Sequence, residues 1–359
     1  MNTKPNTPVT FQCGAVMLNR FMLAPMTNTQ SHEDGTLSKD EYQWLTMRAK
    51  GGFGLTMTCA SHVQFIGKGF PGQLGIYNDT HIEGHRRLAA GIKSHNSLAV
   101  IQLHHAGMRT PEVLIGEQPV CPSAREKHNA RGLSLKEVIK LRNDFITAAV
   151  RSQKAGYDGV EVHGAHGYIL TQFLSADINK RTDNYGGSLE NRARLLFEIV
   201  DGIRETCGPE FLLGVRLSPE RFGMKLQEAK TICQQLIHDS HIDFLDISLW
   251  DVFKQPEELE FQDKSLLQYF AELDYKHVKW TVAGKINSGQ DVRTVLDAGV
   301  DFVSIGRSAI LHHDFPKQVL AHTNFEPTAL PVSEGYLRNE GLGEKFVTYM
   351  KRWDGFVTD

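Results

Sequence analysis

The 359-residue chain has only five cysteines, at 13, 59, 121, 207 and 233, and no two stand at CxxC spacing. That argues against zinc ribbons, iron–sulfur clusters of the usual motif and a dense disulfide framework. No stretch approaches the roughly 20 uninterrupted apolar residues of a membrane span. The opening Met1-Asn2-Thr3-Lys4-Pro5 leads into no apolar signal-peptide core. A cytoplasmic protein without a membrane partner is therefore expected. Charge of one sign is also lacking, since 39 Lys plus Arg face 42 Asp plus Glu for a formal net of −3. Nothing in that balance suggests a nucleic-acid partner. What the chain does have is 16 His and 32 Gly, both usable at a polar ligand site.

Short apolar segments rich in β-branched residues recur at Arg20 to Ala24, Leu55 to Cys59, Leu98 to Leu103, Asp158 to Val162, Phe211 to Leu217, Phe244 to Ser248, Trp280 to Ala283 and Phe302 to Ile305. Most are continuous runs, as in parallel strands covered on both faces. Helical patterns lie between them. Ser134 and Glu137 form a capping-box signature ahead of Val138, Leu141, Phe145 and Ala149, and Gly156 stands where a helix would end. Ser188 opens a second helix, and Ser288 a third that ends before Gly299. Eight strands alternating with helices predict an α/β (β/α)8 TIM barrel. An open doubly wound sheet is the runner-up, but no GxGxxG follows the first strand. The length allows one large or two ordinary domains. The pattern reads as a single domain over 1–359, with its core at about 8–320 and a tail from 321. Thr10 to Leu18, around Gly14, suggests a short N-terminal hairpin closing the barrel bottom. Long loops after strands 3 and 6, residues 104–133 and 251–279, are expected to wall the pocket.

Barrel chemistry belongs at the C-terminal ends of the strands. Those ends read Pro25-Met26-Thr27, Ala60, Gln102, His163 to Tyr168, Arg216, Ser248 to Asp251, Gly284-Lys285 and Gly306-Arg307. A buried Arg216 needs an anion, either a ligand or a carboxylate such as Glu161. Gly284-Lys285 and Gly306-Arg307 end the seventh and eighth strands, the usual phosphate site of this fold. His163 and His166 read either as zinc ligands short of a full set or as hydrogen-bonding groups. No His-x-His ends the first strand, and no metal is expected. Nearness to Gln102 puts His104 and His105 at the pocket rim, and solvated loop histidines are at least as good a reading. Tyr168 is either packing or an acid, since a phenol keeps its proton at neutral pH.

At these residues the sequence resembles the Old Yellow Enzyme family of FMN-dependent NADH:flavin oxidoreductases and ene-reductases. Val160-Glu-Val-His-Gly-Ala-His-Gly-Tyr-Ile-Leu-Thr-Gln-Phe-Leu-Ser175 carries the family's active-site motif. Asn179-Lys-Arg-Thr-Asp-Asn-Tyr-Gly-Gly-Ser-Leu-Glu-Asn-Arg192 continues it. Leu23 to Thr27, Gln102, Arg216 and Gly306-Arg307 fall at matching positions, so the likeness spans roughly residues 8 to 320.

The resemblance implies one non-covalent FMN at the barrel mouth, with NADPH or NADH as hydride donor. Pro25, Met26 and Thr27 would border its ring, Ala60 and Gln102 the pyrimidine side, and Arg216 the N1/O2 edge. Ala283, Gly284, Lys285, Gly306 and Arg307 would surround the phosphate. His163 and His166 would hold the oxygen of an α,β-unsaturated carbonyl compound while Tyr168 protonates its α-carbon, in a ping-pong reaction. Trp250 would line the substrate pocket, or else pack at the core or rim. Thr27 stands where one branch of the family has cysteine, yet the His/His pair is more typical of that branch. A homo-oligomer is compatible with the sequence. Larger relatives that add an iron–sulfur cluster are disfavoured. Two rival readings remain: a phosphate-binding barrel lyase or isomerase using Lys285 as a Schiff-base amine, and a non-catalytic flavin-binding protein.

Overall fold

The computed structural model describes residues 4–358, so Met1 to Thr3 and Asp359 lie outside the described residues. Eight parallel strands close into one barrel. They are β1 Phe21–Leu23, β2 Leu55–His62, β3 Leu98–His104, β4 Gly159–Gly164, β5 Leu212–Leu217, β6 Phe244–Ser248, β7 Lys279–Ala283 and β8 Phe302–Ile305. Each coincides with an expected segment, and β2 runs three residues further across a bulge between Met57 and Ala60. The connecting helices are α1 Lys39–Lys50, α2 Ile82–Lys93, α3 Leu135–Lys154, α4 Leu189–Cys207, α5 Leu226–Asp239, α6 Leu266–Ala271, α7 Gly289–Asp297 and α8 Phe315–Ala321. The expected starts are real. Ser134 and Glu137 close a reciprocal capping box on α3, and Ser188 and Ser288 cap α4 and α7.

The barrel interior is built in layers, because alternate residues of each strand point inward. Met22, Leu55, Met57, Val100, Leu212, Phe244 and Phe302 form a buried apolar floor. Gly214 belongs to this packing, since a Cβ there would lie 2.1 Å from the Phe244 ring. A hairpin, Val9–Thr10 paired with Val16–Met17, plugs the underside. Its Phe11 ring lies 5.9 Å from Phe244 and 5.8 Å from Phe302. Two residues further along the strands the layer turns polar, with Gln102, Glu161, Arg216, Asp246, Thr281 and Ser304 all buried. Two more residues along stand His104, His163, Ser248, Ala283 and Gly306, at the barrel mouth.

The loops divide the mouth differently from the sequence expectation. Among the described residues, only Arg109 of 104–133 and none of 251–279 line the central cavity. The second segment instead folds into α6, which buries Leu266, Leu267 and Phe270 in the core. Part of the wall comes from the C-terminal tail. Phe346 packs edge-on against Trp44 of α1 at 4.9 Å. Val332 N–H donates to Phe356 O at 3.0 Å, and Thr358 N–H donates to Val332 O at 2.8 Å. This path carries Tyr349, Met350, Trp353 and Phe356 over the cavity.

Candidate active site at the barrel mouth

The polar layer beneath the mouth contains one cation and two carboxyls. Arg216 Nε lies 3.2 Å from Asp246 Oδ2, in an orientation too poor for a hydrogen bond. Gln102 Nε2 donates to Glu161 Oε1 at 2.7 Å, leaving Oε2 without a partner. Burial raises both carboxyls above the usual range, and the neighbouring Asp246 raises Glu161 further. One guanidinium balances one negative charge, so Asp246 takes the ionised role beside Arg216 and Glu161 holds the proton. The carboxylate partner that the sequence left open for Arg216 is therefore Asp246, its neighbour in register across β5 and β6.

Above this layer opens a cavity of about 580 Å³. Pro25, Met26, Thr27, Arg216, Ala283, Gly284, Lys285, Gly306 and Arg307 all line it. Gly306 faces space, since a Cβ there would find nothing nearer than Met26 Sδ at 3.7 Å. Gly284 has φ +151° and a Cβ would lie 2.8 Å from the Trp250–Asp251 backbone, so only glycine fits. Lys285 Nζ pairs with Asp251 at 3.0 Å. Ala60 and Gln102 stand side by side in register but do not line the cavity. The Ala60 carbonyl accepts from Gln73 at 2.7 Å, and the Gln102 amide serves Glu161.

These residues fit FMN on their own chemistry. The volume is ordinary for a small-molecule site. Arg216 offers a fixed cation, Ser304 a buried hydroxyl lacking any partner, and Lys285 and Arg307 charge for a phosphate. Ala24, Pro25 and Met26 give the largely apolar lining a ring system needs.

Beside Arg216, the end of β4 brings the histidines and tyrosine to the same mouth. His166 and Tyr168 line the cavity, while His163 lies behind them, 4% exposed. His163 Nδ1 accepts from Ala165 N–H at 3.2 Å, so a neutral ring carries its proton on Nε2. That nitrogen lies 3.3 Å from His166 Nδ1. His166 in turn carries its proton on Nε2, 2.7 Å from Ser248 Oγ. Both imidazoles are held well below their usual range, first by burial; His166 and His104 then act on His163, and Arg216 and Arg109 act on both rings. Tyr168 packs edge-on against His104 at 4.3 Å and against His163 at 5.2 Å. His104 is therefore a buried support for the phenol, not a solvated loop residue. His105 is buried too and lies 3.1 Å from Gln64 Oε1. His166 itself has φ +62°, a left-handed backbone that non-glycine residues adopt at a cost, often at functional sites.

Ser248, already placed at a strand end by the sequence, lines the cavity as the next inward residue after Phe244 and Asp246. Several other lining residues escaped sequence reading. Arg109, Arg221, Phe222 and Trp353 lie on loops and the tail, where no periodicity points inward. Trp250 does line the cavity and is 56% exposed.

With this geometry in place, comparison with known proteins adds a family. The model of the NADH:flavin oxidoreductase / NADH oxidase family matches residues 7–326. A probable NADH-dependent flavin oxidoreductase, YqiG of Bacillus subtilis, is 35% identical over 87% of this chain and 86% of its own. An NADPH dehydrogenase of Bacillus cytotoxicus is 32% identical over 91% of this chain and 94% of its own. The structure of the old yellow enzyme homologue from Zymomonas mobilis superposes with a TM-score of 0.81 at 25% identity, covering 97% of this chain and 99% of that one.

Proposed function

Because this chain belongs to the NADH:flavin oxidoreductase / NADH oxidase family and is an FMN-dependent, NAD(P)H-linked oxidoreductase of the Old Yellow Enzyme type, we propose that it reduces the C=C bond of α,β-unsaturated carbonyl compounds or similarly activated alkenes. When bound, FMN supplies the redox centre that takes two electrons from NAD(P)H and passes them to the alkene. Arg216 is placed to stabilise negative charge at one edge of that group, with Asp246 as its buried counter-charge. His163 Nε2–H is a neutral donor for a substrate carbonyl oxygen, and His166 becomes a second one when its proton moves to Nδ1 and Ser248 Oγ–H donates to its Nε2. Neutral imidazoles polarise the alkene through hydrogen bonds without adding charge to a buried pocket. Tyr168 Oη gives a proton to the α-carbon and regains one from solvent. Overall, the alkene π bond breaks, two C–H bonds form, and NAD(P)H becomes NAD(P)⁺. Both organic substrates use one cavity in turn, which calls for ping-pong kinetics.

The observation that carries this reading is the lining of one cavity by His166 and Tyr168 together with Arg216, Lys285 and Arg307. Lys285 is ion-paired and half exposed; a Schiff-base amine requires desolvation or a second cation. The test is NADPH oxidation by the FMN-loaded protein under anaerobic conditions, with and without 2-cyclohexenone. Enone-dependent oxidation with parallel initial-rate lines supports the proposal. A flavin reduced by NADPH that no enone, nitroalkene or maleimide reoxidises would overturn the substrate assignment.

A further inference from the structure

Among the described residues five cationic side chains line the cavity, Arg109, Arg216, Arg221, Lys285 and Arg307, and no carboxylate does. That is a strong local excess in a chain whose formal net charge is −3. Arg216, Lys285 and Arg307 are accounted for by FMN, a ring edge and a phosphate. Arg109 and Arg221 are left over. They stand on the histidine and tyrosine side.

Their placement is built, not incidental. Arg109 Nη1 donates to the main-chain oxygen of His166, and its guanidinium lies 4.7 Å from the Tyr168 ring centroid and 5.9 Å from that of Phe222. Arg221 lies 5.4 Å from the Phe222 ring and 4.6 Å from the Trp250 ring. Both guanidiniums thus lie beside Phe222, and aromatic rings orient each of them. Arg221, Phe222 and Trp250 all hold left-handed backbones, at φ +65°, +53° and +66°. Gly167 makes room for the arrangement, since a Cβ there would lie 2.7 Å from the Phe222 ring. Among the described residues Arg109 has no carboxylate partner, and Arg221 has only Glu257 at 3.8 Å, itself 58% exposed. Both are solvent-exposed at the cavity rim, so two oriented guanidiniums without a firm counterion are open to an arriving anion.

We propose that Arg109 and Arg221 bind a carboxylate on the alkene substrate, so that the preferred substrate class is an alkenoate carrying a second carbonyl group, such as a 4-oxo-2-alkenoate or an unsaturated dicarboxylate. This rests on the alkene-reduction reading above. One carbonyl oxygen goes to His163 and His166, and the carboxylate at the other end of the alkene goes to the arginines. Tyr168 lies between the two. A nucleotide phosphate is the rival source of the anion. It is separated from its reacting ring by a ribose, whereas Arg109 stacks on the proposed proton donor itself.

The test uses FMN-loaded enzyme, reduced anaerobically and mixed with (E)-4-oxo-2-pentenoate or its methyl ester. The acid should reoxidise the flavin at least tenfold more efficiently than the ester. Arg109→Gln and Arg221→Gln should each shrink that preference by about tenfold, with the loss falling on reoxidation. Reoxidation by the ester as fast as by the acid would overturn the carboxylate site while leaving alkene reduction standing. Slower reduction by NADPH in the variants, with the acid preference intact, would assign the anion to the nucleotide instead. Calorimetry of 4-hydroxybenzoate against its methyl ester, on oxidised enzyme, reads the site without turnover. Equal affinity for the two ligands would also overturn it, and neither substrate reoxidising the flavin would defeat the alkene reading itself.

Discussion

His166 Nε2 lies 2.7 Å from Ser248 Oγ, at the far end of a hydrogen-bonded chain whose direction is set by Ala165 N–H. With Ala165 N–H on His163 Nδ1 and His163 Nε2 facing His166 Nδ1, the chain of donors runs in one direction. The His163–His166 contact is long, at 3.3 Å, so an arriving carbonyl oxygen displaces it cheaply. Ser248 keeps the His166 ring in place meanwhile.

Removing that anchor should loosen the oxygen site. Ser248→Ala is expected to weaken binding of a phenol ligand to the oxidised enzyme about fivefold, equivalent to ~1 kcal/mol for one hydrogen bond. FMN affinity should hold. His163→Ala or His166→Ala should weaken the phenol more. Spectral titration of the flavin band reads all three, and unchanged affinity in the His variants would remove these residues from the ligand site.

The buried histidines also set a pH dependence. Burial is the leading cause that lowers His62 to about 3, His85 to about 4 and His105 to about 3, and it holds His104, His163 and His166 well below their usual range. In the unfolded chain these rings titrate near 6.5. Below that pH the unfolded state binds protons that the folded state refuses, so stability is full above about pH 6.5 and falls on acidification. Each such ring contributes up to about 1.4 kcal/mol per pH unit below that point. Urea unfolding at pH 7.0 and 5.5 checks this, and equal midpoints would contradict it.

Much of this was legible in the sequence because strand signals are local. The eight apolar runs, the Ser134, Ser188 and Ser288 caps and the hairpin around Gly14 all fall in place, since each depends on neighbours in the chain. The inward polar layer was harder to see. Glu161, Asp246 and Thr281 are hidden in runs that look uniformly apolar, and only the closed barrel shows that they face one another. Arg109, Arg221 and the tail residues Tyr349 and Trp353 meet through long-range packing, which leaves no period in the sequence. The large supply of histidine is resolved mainly as structure. His85, for example, lies 2.8 Å from both Tyr157 Oη and Gly75 O, far from any chemistry.

The plug of the barrel floor is separable from the site. Phe11 is 2% exposed and fills the space between Phe244 and Phe302. Phe11→Ala should cost about 3–5 kcal/mol of stability. Below the melting transition, FMN binding should be retained, because the polar layer lies between the floor and the cavity. Chemical unfolding together with flavin titration measures both. A loss below ~1 kcal/mol would mean that the hairpin does not close the core.

Tyr168→Phe in anaerobic rapid mixing tests the proposed chemistry most directly. The variant should be reduced by NADPH at close to the wild-type rate. Its reoxidation by 2-cyclohexenone should be slower by ~10²–10⁴-fold, the usual worth of a positioned acid. Equal slowing of both halves, or none in reoxidation, would contradict the assignment of Tyr168 as the proton donor.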